Sequence, residues 1–133
     1  MSPLEPGLKG CVEITVGDEQ TAPHVGSGRV HVLATPVMVN LMEAAALQAV
    51  EGLLPAGHQT VGTHLDITHT AATPVGMRVM AYAELIKVEK RTLTFSVYAE
   101  DGMERIGGGI HERIIINLER FDQRMQDKLR LVR

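Results

Sequence analysis

"ATPVMVNLMEAAALQAVEGLL", Ala34 to Leu54, is the stretch on which the fold turns. Thr35 is placed to cap a helix with its side-chain oxygen. Pro36 then falls at the first helical position, where a missing N–H costs no hydrogen bond. Pro55 and Gly57 end the helix. Between these signals almost every residue is apolar, so the helix is expected to be buried on most of its sides. Glu43 is the exception. At helical spacing its neighbours are Pro36, Val39, Asn40, Ala46, Leu47 and Val50, and only Asn40 is polar. An unpaired carboxylate in such a place is costly or takes up a proton. Glu43 therefore either pairs with a structural arginine, faces a solvent gap, or is kept in a pocket for general-base work.

Working outward, "CVEITV" (11–16) alternates and reads as a strand. "GDEQTAPHVGSG" is a loop by its Gly and Pro content, and "RVHVLA" is a short strand or an extended lead into the helix. Beyond the helix come four β-like runs: "QTVGTHLDITHT", "RVMAYAELIKVEK", "TLTFSVYAED" and "RIGGGIHERIIINLER". The third alternates cleanly, with Leu93, Phe95, Val97 and Ala99 on one face and Thr92, Thr94, Ser96 and Tyr98 on the other. Pro74 and Gly76 mark one turn, and Asp101-Gly102 marks a hairpin. "FDQRMQDKLR" reads as a short closing helix. The order is strand, helix, then four strands in a meander, and no helix separates those last strands, which argues against a parallel βαβ sheet. One long apolar helix must bury itself on a curved antiparallel sheet. This is an α+β chain of hot-dog architecture, the sheet wrapped around one central helix. Gly107, Gly108 and Gly109 interrupt the last strand, which calls for a bulge, a bend or a close backbone approach.

The 133 residues fit one domain, 1–133, long enough to bury a core without staples. Aromatics are only 3% and Trp is absent, so that core must be aliphatic. The net charge of -3 and the lack of a basic stripe or stacking aromatics argue against a nucleic-acid partner. The basic "RMQDKLRLVR" reads as a solvated helix face. Cys11 is the single cysteine, which excludes an internal disulfide and suits a reducing cytoplasm. No apolar h-region opens the chain, and no apolar run reaches the roughly 20 residues that span a bilayer, so no membrane partner is expected.

The histidines sort by strand phase. In "VGTHLDITHT", Val61, Thr63, Leu65, Ile67 and His69 share one face, and Gly62, His64, Asp66, Thr68 and Thr70 the other. His69 is in phase with the apolar set and should point toward the helix and Glu43, while His64 should face solvent. That split speaks against a metal site built from His64, Asp66 and His69, because ligands must converge on one point. The Thr35 hydroxyl lies about two helical turns from Glu43, at 1.5 Å of rise per residue. A hydroxyl, a carboxylate and an imidazole on elements that pack together make a plausible hydrolytic site. No GxSxG, CxxC or Walker loop is present.

"ATPVMVNLMEAAA", "VGTHLDITHTAATPVGMRVMAYAEL", "RTLTFSVYAEDG" and "IGGGIHERIIINLERF" together resemble the hot-dog thioesterases related to fluoroacetyl-CoA thioesterase, over roughly Cys11 to Phe121. The resemblance implies hydrolysis of short acyl-CoA thioesters by a dimer or higher homo-oligomer, with no metal or other cofactor. Carried over by position, it places the family's threonine, glutamate and histidine on Thr35, Glu43 and His69. It also implies substrate contact by the Gly62 backbone and by Arg113. The fluoroacetyl-specific enzyme has phenylalanines before its helix. "HVGSGRVHVLATP" has none, so this chain resembles the relatives that carry the same three residues without that selectivity. Two rivals remain at this level. One is a hot-dog hydratase or dehydratase, and the other is an acyl-thioester-binding protein without turnover.

Overall fold

The computed structural model describes residues 4–132. Strand β1 (Lys9–Thr15) leads through a 3-10 turn (Asp18–Gln20) and the short α1 (Ala22–Val25) to α2 (Thr35–Ala49). Then follow β2 (His58–His69), β3 (Arg78–Glu89), β4 (Thr92–Glu100), β5 (Arg105–Asn117) and α3 (Leu118–Leu131). The five strands form one antiparallel sheet in the order β1-β3-β4-β5-β2. The helix-in-sheet architecture is as the element order implies. The four-strand meander is not: only β3, β4 and β5 follow one another in space. β2 leaves the helix, crosses to the far edge and pairs with β5.

One face of α2 makes the core. Met38, Leu41, Met42, Ala45, Ala46 and Ala49 are buried against the inward side chains of β3 and β4, including Leu85, Leu93, Phe95 and Val97. The alternation in β4 places Leu93, Phe95, Val97 and Ala99 in that core with no exposure at all. Each large side chain so buried contributes about 1.5–3 kcal/mol. Alanines on the helix allow close contact with β1. A Cβ added at Gly10 would lie 2.0 Å from the Ala45 carbonyl oxygen, so glycine is required there.

The helix is not buried all round. Pro36, Asn40, Leu47 and Gln48 are exposed, and Glu43 and Ala44 are half-buried. Within this stripe Glu43 reaches Arg113 of β5, while Gln48 accepts from the Cys11 N–H of β1 at 2.6 Å, and β2 is an edge strand with no further strand beside it among the described residues.

The three glycines of β5 answer to close approach within the chain. A Cβ at Gly107 would meet the Thr68 oxygen at 2.4 Å and Met38 Sδ at 2.8 Å, and one at Gly109 (φ 155°) would meet the Asp66 oxygen at 1.9 Å. The last strand stops at Asn117, earlier than its sequence suggests. Asn117 caps α3 by accepting the Arg120 N–H at 3.0 Å. No helix among the described residues is long and apolar enough to cross a membrane.

Candidate active site

The start of α2 differs from its sequence reading. Ala34 occupies the N-cap position, Thr35 is itself helical, and no side chain caps the end. The Thr35 hydroxyl is instead 2.7 Å from Nδ1 of His69, at the far end of β2. Burial holds the His69 pKa below its ordinary 6.5, with the Ala71 backbone opposing, so the ring is neutral at pH 7. Its Nε2 is sealed from solvent and has no hydrogen-bond partner among the described residues. If the Thr35 hydroxyl donates to Nδ1, Nε2 carries the hydrogen, and the Ala71 backbone, which favours the protonated ring, offers it no well-formed bond.

Glu43 lies elsewhere. Eight residues along the helix correspond to about 12 Å of rise. Its Oε2 accepts from Arg113 Nη1 at 3.2 Å and lies 3.9 Å from His111 Nε2. His69 therefore meets the beginning of α2, not Glu43, and the expectation that it points at the carboxylate within one chain is corrected. Arg113 is buried and fully engaged. Its Nε donates to Thr60 Oγ1 at 2.9 Å, Nη2 to the Thr60 carbonyl at 3.1 Å, and Nη1 is shared between Glu43 and His111 Nε2 at 3.1 Å. Burial pulls the Arg113 pKa down and the adjacent Glu43 carboxylate opposes it.

Strand phase explains who meets whom. Gly62 pairs with Arg113 and His64 pairs with Glu112, so Thr63 is an extra residue, a β-bulge. Before it, Thr60 and Gly62 face the helix side; after it, Ile67 and His69 do. Val61 and Thr63 thus do not share a face with His69, contrary to the unbroken alternation read from the sequence. His64, beyond the bulge, is exposed as expected. At Gly62 a Cβ would lie 2.8 Å from Glu43 Oε2 and 3.2 Å from His111 Cε1, so any side chain would displace the carboxylate.

His111 was not singled out by sequence. It is completely buried, two residues before Arg113 on the same face of β5, with Nδ1 2.9 Å from the His64 carbonyl. That i, i+2 spacing in "HER" was the available signal.

Beside Thr35 and His69 opens a cavity of about 300 Å³, walled by Ala22, Val30, Leu33, Ala71 and Ala72, with Arg29 on its lining. A larger hollow of about 600 Å³ lies at the other end of α2, between Leu47, Glu51, Leu54 and His58, and reaches none of the groups named above. The imidazole, the hydroxyl and the apolar wall thus stand at the start of α2, and the Glu43 carboxylate stands at its middle.

Comparison with known proteins identifies the family. The family model described as fluoroacetyl-CoA-specific thioesterase matches residues 16–119. A fluoroacetyl-CoA thioesterase of Streptantibioticus cattleyicolor is 46% identical over 97 residues, which are 73% of this chain and 70% of that protein. A solved structure of the fluoroacetyl-CoA thioesterase FlK superposes with a TM-score of 0.90 at 37% identity, covering 96% of this chain and 98% of that one. A Thermus thermophilus member of the thioesterase superfamily superposes with a TM-score of 0.87 at 29% identity, over 98% of this chain and 99% of that one. The chain is a thioesterase of hot-dog fold and belongs to the fluoroacetyl-CoA-specific thioesterase family.

Proposed function

We propose that the chain hydrolyses short acyl-CoA thioesters as a homodimer, with Thr35 and His69 of one subunit facing Glu43 of the partner subunit. The Thr35–His69 contact at the exposed start of α2 carries this reading. A neutral imidazole with a hydroxyl on Nδ1 is half of a hydroxyl–imidazole–carboxylate relay, and Glu43 is too far along its own helix to supply the other half. Two copies joined antiparallel along the free β2 edge would run the Gly62 end of one beside the His69 end of the other. Each end of the interface would then carry one complete set.

In such a site Glu43 draws a proton from water, and the water oxygen adds to the thioester carbonyl. The backbone N–H near Gly62 is the candidate donor to the developing oxyanion. The C–S bond then breaks, and the CoA sulfur leaves with a proton returned through His69. Thr35 positions the ring or relays the proton. A direct attack by the Glu43 carboxylate on the same carbonyl is the alternative first step. Arg113, buried behind Glu43, holds the carboxylate rather than presenting a free cation to solvent. No metal or other cofactor enters this scheme.

The apolar wall of Ala22, Leu33, Ala71 and Ala72 suits a small unsubstituted acyl group. The relatives act by name on fluoroacetyl-CoA, and a variant of one was solved with fluoroacetate and CoA. The segment from His24 to Pro36 carries no phenylalanine, so selectivity for fluorine is not part of the proposal. A reducing cytoplasm, where acyl-CoA is made and used, fits the lone Cys11. Thiol release over a panel of acyl-CoAs of increasing length tests the reading. Turnover of acetyl- to butyryl-class substrates is expected. No thiol release from any member would refute it.

A further inference from the structure

We propose that His111 is a positioning residue that aims Arg113 at Glu43 and thereby leaves one carboxylate oxygen of Glu43 free to react. This rests on the thioesterase reading of the same site. The argument begins at the bulge. The extra Thr63 turns the His64 carbonyl toward β5, where it accepts from His111 Nδ1 at 2.9 Å. A carbonyl can only accept, so the hydrogen resides on Nδ1 and Nε2 keeps its lone pair. Burial, with the neighbouring Arg113 charge acting the same way, holds the His111 pKa below its ordinary 6.5, which keeps the ring in that neutral form.

Nε2 then takes one hydrogen of Arg113 Nη1 at 3.1 Å. The other hydrogen of Nη1 is directed to Glu43 Oε2 at 3.2 Å. Thr60 fixes the rest of the guanidinium through its hydroxyl and carbonyl oxygens, so the fork cannot turn to meet both carboxylate oxygens. Oε1 of Glu43 accepts no hydrogen bond among the described residues. A bidentate Arg–Glu pair would have occupied both oxygens; a single contact leaves one. His111 also sits against Phe95, its ring centroid 6.3 Å away, which fixes its plane from the core side. Gly62 completes the arrangement by leaving room for Oε2.

Three substitutions separate positioning from bulk stability. Asn at 111 can reproduce the Nδ1 donor, Gln can reproduce the Nε2 acceptor, and Phe reproduces only the ring. His111→Phe and His111→Asn are expected to lower kcat at least tenfold, with KM within about twofold of wild type, because the loss falls on alignment of the reacting carboxylate. His111→Gln is expected to recover most of that loss even where its Tm falls as far as that of the Asn variant. Equal kcat in the Gln and Asn variants, or wild-type kcat in folded His111→Phe, overturns the proposal. The parent reading fails separately. It falls if wild type releases no thiol, whereas an active wild type that tolerates His111→Phe removes only the role given to His111.

Discussion

At the scale of single residues, the site depends on where a few oxygens and nitrogens are held. Glu43→Gln keeps the shape of the side chain and removes the base. The expected result is a fall in kcat of at least about 100-fold with the fold retained, measured by thiol release alongside circular dichroism. Gly62→Ala tests the same carboxylate from outside. The new Cβ would lie 2.8 Å from Oε2, so Glu43 must shift. A misplacement near 1 Å can cost about 100-fold, and a drop of that order in kcat is expected. Wild-type kcat in this variant would mean that the position of Oε2 is immaterial. The two histidines of β2 part company. His69→Ala removes the partner of the Thr35 hydroxyl and is expected to lower kcat/KM, while His64→Ala changes an exposed ring whose backbone carbonyl is untouched. Greater damage from the His64 variant would contradict the face assignment on both sides of the bulge.

At the scale of elements, some of this was legible in sequence and some was not. The Ala34–Leu54 stretch announces a buried helix through its breakers and apolar content, and β4 announces its inward face by strict alternation, because both signals are local. The bulge at Thr63 left no mark of composition, since one extra residue changes phase without changing residue type. It moved Gly62 beside Glu43 and placed His69 at the helix start. The pairing of β2 with β5 was equally hidden, because nothing near His58–His69 states which edge it will join. Thr35, Glu43 and His69 were singled out from the sequence, but that His69 meets Thr35 while Glu43 meets Arg113 was hidden for these two reasons. His111 was missed because a lone histidine in an apolar strand resembles any core histidine until its partner atoms are known. Elsewhere the elements touch closely enough to test. Gly10→Ala would drive a Cβ to 2.0 Å from the Ala45 carbonyl of α2. A loss of about 1–3 kcal/mol is expected from such overpacking, read from the urea midpoint. An unchanged midpoint would show that β1 and α2 are not in backbone contact.

At the scale of the whole molecule, stability and assembly follow from the same groups. His69 and His111 both have pKa values pushed below 6.5 by burial, which favours their neutral forms in the folded state. Their contribution is fully present above pH 6.5 and is lost as the pH falls from there through the lower folded values, because the unfolded chain then binds the protons. Urea midpoints should therefore fall below pH 6.5, and the fall should be shallower in the His111→Phe variant. A wild-type midpoint flat from pH 6.5 to 5 would contradict the neutral assignment. Assembly is the larger claim. Among the described residues, a single chain leaves the edge of β2 unpaired, part of α2 uncovered and the Thr35–His69 pair apart from Glu43. The reading of the site as shared requires that one defect be repaired from across an interface. The most direct measurement mixes two inactive proteins, Thr35→Ala and Glu43→Gln, after reversible denaturation together. In a shared site, each mixed dimer carries both defects in one site and none in the other. Random pairing should then restore about one quarter of wild-type activity. Mixed dimers that form, as shown by mass spectrometry, and remain inactive would place the whole site within one chain and contradict the account.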